Sequence, residues 1–290
     1  MPEGHTLHRL AQHFQRVLVG ETWRVSSPQG RFTAGARRLD GRVPQRAEAW
    51  GKHLFVHVDD DVWHVHLGLY GAFSFRGRPR FAAEATYGAP RLGGVPEFEE
   101  TPEGKVVPAA PEGAVRARIQ VRDGWADLRG PATCSVLDPE EYAGVTGRLG
   151  PDPLRELPGM HCAQTFLSNL RRRRVSIGAA LMDQRVIAGI GNIYRAESLF
   201  CEQISPDVPA RDLPEDHVIA LWRRLGAQLR DGVAEGRIIT VRSPDGGPGA
   251  GPRRHYVYRH QGTACLRCST TIRARELNGR TLYWCPRCQD

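Results

Sequence analysis

Four cysteines stand near the end of the chain in two pairs, Cys265-Leu-Arg-Cys268 and Cys285-Pro-Arg-Cys288, with sixteen residues between the pairs. Thiolates at this spacing suit one tetrahedral zinc, as in a zinc ribbon. Between them Asn278-Gly279 is the favoured two-residue turn of a β-hairpin. Arg280 therefore sits at or beside the tip of a metal-clamped hairpin, placed either to meet a ligand or simply to be solvated. A second constellation runs from Asp183 to Glu197, where two helical stretches flank a Gly-rich turn. Gly191 and Asn192 stand just ahead of the second helix. Free backbone N–H groups and the positive helix end coincide there, which suits a phosphate. Such turns also occur as plain connections, and both readings stay open. A third is Pro2-Glu3-Gly4. Removal of Met1 would leave Pro2 as a secondary amine, and α-amino groups titrate near about 8. A neutral amine can attack a sugar C1′ and form an iminium, with Glu3 beside it able to donate a proton, although most prolines at this position have no catalytic part.

Only Lys52 and Lys105 are lysines among the 40 cationic residues. A buried lysine can give up its proton and an arginine cannot, which singles out Lys52. Lys105 lies in a Gly/Pro-rich stretch. His53, His57, His64 and His66 alternate along strands with no cysteine or carboxylate close by, and read as packing and hydrogen-bonding groups. Cys134, Cys162 and Cys201 read as small apolar residues. The run Arg171–Arg174 reads as a solvated face.

The elements that must hold these groups follow from periodicity. Leu7, Leu10, Ala11, Phe14 and Leu18 predict a first helix that stops at Gly20. Strands are predicted over Trp50–Val58, Val62–Leu67, Gly71–Phe75, Val115–Val121 and Trp125–Leu128. Between Gly77 and Gly113 twelve of 37 residues are Gly or Pro, which predicts a long surface insertion. A hinge is expected at Arg148–Pro153. Helices dominate from Cys162 to about Gly236, including Val218–Val233. A Gly/Pro-rich segment follows at Ser243–Arg254, then a short strand at Tyr256–Arg259 and the cysteine tail.

At 290 residues the chain has room for two or three domains, and its formal charge of +8 permits a polyanionic partner. No apolar run reaches the roughly 18 residues of a membrane helix. The N-terminus lacks a signal-peptide pattern, so a cytoplasmic protein is expected, and seven cysteines in a reducing compartment argue against a disulfide framework.

Pro2-Glu3-Gly4, Gly51-Lys52-His53, the Asp183–Glu197 run and the four-cysteine ribbon, in this order, resemble the formamidopyrimidine-DNA glycosylase/endonuclease VIII family, and most closely its actinobacterial endonuclease VIII branch. The resemblance implies an α+β multidomain fold: an N-terminal helix on a two-sheet β-sandwich over 1–135, a helix–two-turn–helix domain over 150–242 and a zinc ribbon over 255–290. It implies damaged double-stranded DNA as partner, structural zinc as the sole cofactor and a monomer. By motif, Pro2 is the Schiff-base nucleophile and Glu3 the proton donor to the sugar ring oxygen. Lys52 contacts phosphate and assists β-elimination, Asn192 grips the phosphate beside the lesion, and Arg280 grips phosphate and helps δ-elimination. Arg129 resembles the arginine opposite the lesion site. Leu69-Tyr70-Gly71 resembles the wedge that fills the space of a flipped base, although Gly68 stands where the family often has glutamine. The implied reaction is excision of an oxidised pyrimidine followed by strand cleavage. Oxidised-purine specificity and a non-catalytic DNA-binding relative are the alternatives, and Pro2 and Glu3 speak against the second.

Overall fold

A computed structural model describes residues 2–83, 86–88, 98–155, 162–241 and 253–290. The chain divides into two compact units, one of Met1–Pro2 and Thr6–Gly147, the other of Glu3–His5 and Arg148–Asp290.

In the first unit, α1 (Gly4–Val17) lays Leu7, Leu10, Ala11 and Phe14 into a core between two antiparallel sheets. These apolar residues recur at three- and four-residue spacing, which puts them on one helix face. The strands are β1 (Arg24–Ser26), β2 (Arg46–Trp50), β3 (His53–Val58), β4 (Asp61–His66), β5 (Ala72–Gly77), β6 (Thr86–Gly88), β7 (Glu99–Glu100), β8 (Val106–Val107), β9 (Val115–Val121), β10 (Gly124–Arg129) and β11 (Thr133–Leu137), with helices α2 (Thr33–Leu39) and α3 (Pro139–Thr146). One sheet runs β1-β9-β10-β5-β6 and the other β11-β4-β3-β2. Phe14 meets Trp23, Phe73 and Phe75 edge-on, with ring centroids 6.3, 5.2 and 5.8 Å away. Such pairs add to the area they bury. At α3, Asp138 and Glu141 form a reciprocal capping box behind Pro139, a start signal that periodicity alone passes over.

The expected single strand Trp50–Val58 is instead a hairpin. Trp50 pairs with His53, so Gly51-Lys52 is a two-residue turn, and Gly51 takes the positive φ of +59° that such a turn needs at its first central position. The expected surface insertion is also partly structural. Phe81, Tyr87 and Val106 are buried, and β6 extends a sheet beside β5. Residues 84–85 and 89–97 of that stretch lie outside the described residues.

In the second unit, α4 (Cys162–Arg171), α5 (Ile177–Ala180), α6 (Asn192–Cys201) and α7 (Glu215–Glu235) surround a core of Phe166, Leu181, Leu221, Leu225 and Leu229. Gly236 ends α7 in the left-handed conformation at φ 67°. The expected hinge over Arg148–Pro153 is in part a docked segment. Residues 150–153 are buried, Gly150 N–H donates to the Gln184 carbonyl at 2.8 Å, and Ala188 N–H donates to the Pro151 carbonyl at 3.0 Å. The tail forms β12 (Arg273–Leu277) and β13 (Arg280–Trp284), with Asn278 and Gly279 both at positive φ (51° and 70°), the turn that Asn-Gly predicts. No strand forms over Tyr256–Arg259. The N–H groups of Tyr256, Val257 and Tyr258 all converge on the Glu197 carboxylate at 2.7–2.9 Å, and the alternating N–H groups of an extended strand cannot do that. Residues 242–252, most of the expected Gly/Pro-rich segment, lie outside the described residues. No described helix is long and apolar enough to cross a membrane.

Candidate active site and nucleic-acid interface

Glu3 is fully buried, and its carboxylate is held by the start of α6. Gly191 and Tyr194 N–H donate to one oxygen at 3.0 and 3.4 Å, and Ile193 N–H donates to the other at 2.9 Å. The helix has no side-chain cap of its own at Gly191. Glu3 therefore caps it from 188 residues away in sequence. The expectation of free N–H groups awaiting a phosphate is corrected here. The anion at this helix end is the chain's own carboxylate. Three N–H donors and the positive helix end stabilise the carboxylate's negative charge in this buried position. Two glycines permit the approach. A Cβ on Gly191 would lie 2.4 Å from Glu3 Cδ, and one on Gly4 would lie 2.8 Å from Gly189 Cα. Gly4 N–H also donates to the Gly189 carbonyl at 2.8 Å. A larger residue after Glu3 does not fit this backbone packing.

Asn192 is the first residue of α6 and is nearly buried. Its Nδ2 donates to the Thr281 carbonyl at 3.0 Å, and its Oδ1 accepts from Arg195. Thr281 follows Arg280, which is exposed at the first position of β13, directly after the Asn278-Gly279 turn. Asn192 and the hairpin arginine are thus brought together through one backbone carbonyl. Gln184 shapes the turn leading into α6. Its Oε1 accepts from Gly189 N–H and its Nε2 donates to the Ile190 carbonyl, both at 3.0 Å.

The four ribbon cysteines carry Sγ atoms within 4.8 Å of one another. Two of the separations are 3.9 Å (Cys265–Cys288) and 3.4 Å (Cys268–Cys285). A tetrahedron of thiolates about 2.3 Å from zinc has sulfur atoms about 3.8 Å apart, so the residues present fit that ion. Among the described residues no other group of three or more Cys, His, Asp or Glu could hold a metal. The expectation of strand histidines with no carboxylate close by is corrected at one of them: His57 Nε2 lies 2.8 Å from Glu48 Oε1, which the pairing of β2 with β3 brings alongside it, while the others pack on one another. His53 Nδ1 and His64 Nε2 lie 2.8 Å apart, and Phe55 stacks on His64 at 4.9 Å. Burial first, then the charges of His66, His64 and Lys52, push the His53 imidazole down to about 3. Burial and His66 push His64 to about 4, and burial with Lys52 lowers His66.

In the first unit Pro2 is buried just ahead of α1, and Lys52 occupies the β2–β3 turn beside these neutral rings. Leu69 and Tyr70 are not strand residues. They lie in the turn between β4 and β5, with 44% and 77% of their surface exposed, unusual for an apolar pair of this size. Gly68 precedes them at φ +66°, and a Cβ there would lie 2.8 Å from Ala132 Cβ. A glutamine cannot take this place without a shift, so the projecting element is two residues long. Arg129 is held within its own unit: Nη1 donates to Ser74 Oγ at 2.8 Å, Nη2 to Asp127 Oδ2 at 3.0 Å, and Nε to the Glu112 carbonyl at 3.1 Å.

Arg195 and Glu197 are buried charges of α6 that the sequence pattern did not single out. Arg195 lies one turn into α6, and Glu197 anchors the segment ahead of the ribbon. Their only sequence signal is a charge inside an otherwise apolar helix, which a solvated face also produces.

Three family models match the chain: the formamidopyrimidine-DNA glycosylase N-terminal domain over residues 1–124, the formamidopyrimidine-DNA glycosylase H2TH domain over 149–243, and the zinc finger found in FPG and IleRS over 262–290. The chain is 45% identical to Endonuclease 8 1 of Mycobacterium tuberculosis over 294 residues, covering all of both proteins. It superposes on the crystal structure of MutM (FPG) from Thermus thermophilus with a TM-score of 0.72 and 27% identity, covering 99% of this chain and 98% of that one. It also superposes on Lactococcus lactis FPG mutant G226P in complex with Fapy-dG-containing DNA, with a TM-score of 0.74, 20% identity and 99% of each chain covered.

Proposed function

The chain belongs to the formamidopyrimidine-DNA glycosylase/endonuclease VIII family, whose members are DNA glycosylases with AP lyase activity on damaged DNA, and from that premise we propose that it excises oxidised pyrimidines and cuts the strand through a Schiff base on Pro2. The observation that carries the catalytic reading is the seating of Glu3. A charge adjacent in sequence to the Pro2 amine is buried and oriented by the Gly191-Asn192 helix start.

The Pro2 ammonium must lose a proton before it can attack, and the Glu3 carboxylate can accept one. The neutral amine then attacks C1′, the C1′–N bond breaks with its electron pair on the base, the base takes up the proton shed by the amine nitrogen, and the proton on Glu3 passes to the ring oxygen as the sugar opens to the iminium. The cationic iminium acidifies the C2′ hydrogen. Its loss, with rupture of C3′–O3′, is β-elimination. Loss of the C4′ proton with rupture of C5′–O5′ is δ-elimination, and each bond's electron pair leaves on phosphate. Hydrolysis returns the free amine. Lys52, Asn192 and Arg280 serve as phosphate contacts. Leu69 and Tyr70 fill the space of the flipped base, whose extrusion costs a few kcal/mol. Arg129 contacts the strand opposite once released from part of its network. Zinc, when bound, clamps the ribbon that carries Arg280. The protein works as a monomer in the cytoplasm, with domains over 1–135, 150–242 and 255–290.

The pyrimidine preference rests on the branch-level match at Pro2-Glu3-Gly4 and on the Leu69-Tyr70 turn. The close Gly4–Gly189 approach agrees with it, because the purine branch usually carries leucine after the glutamate. Borohydride reduction on a duplex bearing one thymine glycol, followed by mass spectrometry, tests the nucleophile. The expected adduct is on Pro2. An adduct on Lys52, or trapping with Met1 retained, refutes it, because Pro2 nitrogen would then be an amide without a basic lone pair.

A further inference from the structure

Arg195 is among the largest fully buried side chains, only 1% exposed, and it forms no ion pair with a carboxylate among the described contacts. A guanidinium taken out of water costs several kcal/mol unless its hydrogen bonds compensate. Its bonds all lie between α5, α6 and the ribbon. Nη1 donates to the Gly178 carbonyl at 3.3 Å. Nη2 donates to Asn192 Oδ1 and, at 3.1 Å, to the Thr281 carbonyl. The Thr281 carbonyl thus receives two buried side-chain donors, Asn192 Nδ2 and Arg195 Nη2. Burial pulls the guanidinium down to about 10, Glu3 raises it, and Arg280 and Arg275 lower it, so it stays charged near neutral pH and feels both Glu3 and the hairpin arginine.

We propose that Arg195 is a positioning residue for strand cleavage: with Asn192 it pins the Thr281 carbonyl, and so fixes Arg280, one residue earlier, where it can meet the second phosphate to leave. This rests on the reading of Arg280 as the phosphate-gripping arginine of δ-elimination. In that step the C4′ proton leaves, C5′–O5′ breaks, and the bond's electron pair departs on the phosphate that Arg280 stabilises. The first elimination and base excision draw on Pro2 and Glu3, so loosening β13 separates the two eliminations. Arg280 is exposed; its backbone pairs with Leu277 across the turn, and the buried clamp acts on the carbonyl of Thr281, the next residue of the same strand.

The experiment uses the full-length zinc-loaded protein and a duplex with a preformed abasic site, and separates β- from δ-products by gel. Arg195→Met should lower the δ-to-β ratio by about ten- to a hundredfold, the scale set by an ångström of misplacement. With enzyme saturating over DNA, so that any loss of affinity through Asn192 is offset, the yield of borohydride trapping and the zinc content should stay as in wild type. Arg195→Lys, which keeps the charge but cannot bridge two acceptors, should fall between and serves if the methionine variant does not fold. Arg280→Ala is run alongside. If it loses δ-product while both Arg195 variants keep the wild-type ratio, the positioning role is overturned. If Arg280→Ala also keeps the ratio, the Arg280 assignment itself fails and the proposal with it. A fall in trapping that matches the fall in δ-product would also overturn the proposal, since it would mark Arg195 as merely structural.

Discussion

Glu3→Gln is a small change in shape with a large expected effect. The carboxylate accepts three N–H groups, from Gly191, Ile193 and Tyr194. A glutamine offers one oxygen and a donor-bearing nitrogen, so at least one buried N–H then faces another donor. Losing a hydrogen bond to a charged acceptor costs about 1.5–3 kcal/mol. Removing the negative charge from the helix start adds about 0.3–1 kcal/mol. The sum of about 2–4 kcal/mol corresponds to a melting point lower by roughly 5–15 °C for a protein of this size. Chemistry should separate from stability. On a duplex carrying thymine glycol the variant loses the proton relay, and excision falls by about 10²–10⁴-fold. On a preformed abasic site the base has already gone and the Pro2 amine is intact, so cleavage should stay within about tenfold of wild type. Gly191→Ala should show the same pattern by another route, because its Cβ would lie 2.4 Å from Glu3 Cδ. Thermal melting and the two gel assays decide the matter. A Glu3→Gln protein that melts within about 1 °C of wild type refutes the capping energetics. One that excises thymine glycol normally refutes the catalytic role.

Other outcomes follow from the same geometry. Elemental analysis should find one zinc per chain, and chelation should unfold the ribbon and abolish DNA binding; protein that is active and free of zinc would contradict this. Asn192→Ala removes a bond to Thr281 and one from Arg195, and should weaken binding to lesion-bearing and plain duplexes alike by about 1–3 kcal/mol, which fluorescence anisotropy can measure; unchanged affinity would sink the phosphate role. In a side-by-side assay thymine glycol should give a higher kcat/KM than 8-oxoguanine paired with cytosine, and the reverse order would place the protein in the purine branch. His53 and His64 sit at about 3 and 4 in the fold against a usual 6.5, so the unfolded chain binds more protons across that window. Their contribution is complete above the unfolded value and is lost as pH falls toward the folded ones. Melting should therefore drop between pH 7 and 5, and His64→Gln should flatten the drop by about 1–2 kcal/mol; an unaltered pH profile would mean the rings are not held neutral.

The motifs that carry chemistry were legible in the sequence because each is local. Four cysteines at fixed spacing and an Asn-Gly turn state their structure without a fold, helix periodicity from Leu7 to Leu18 states which face is buried, and the roles given to Pro2 and Glu3 came from the family resemblance. What sequence could not decide is what each polar group bonds to. The Gly-rich turn before Asn192 left an anion site and a plain connection both open, and the anion proved to be Glu3, 188 residues earlier. No local pattern encodes a partner at that distance. The same holds for Glu197, which draws in the N–H groups of Tyr256, Val257 and Tyr258 and so prevents the strand their composition suggested. Gly51 looked like an interruption within one strand, and only the pairing of Trp50 with His53 shows it to be the turn that presents Lys52. Arg195 reads as an ordinary surface charge in a helix until tertiary packing buries it against the Thr281 carbonyl. Burial of a charge must be compensated by partners, and those partners come from elsewhere in the chain, which is why only the folded structure reveals them.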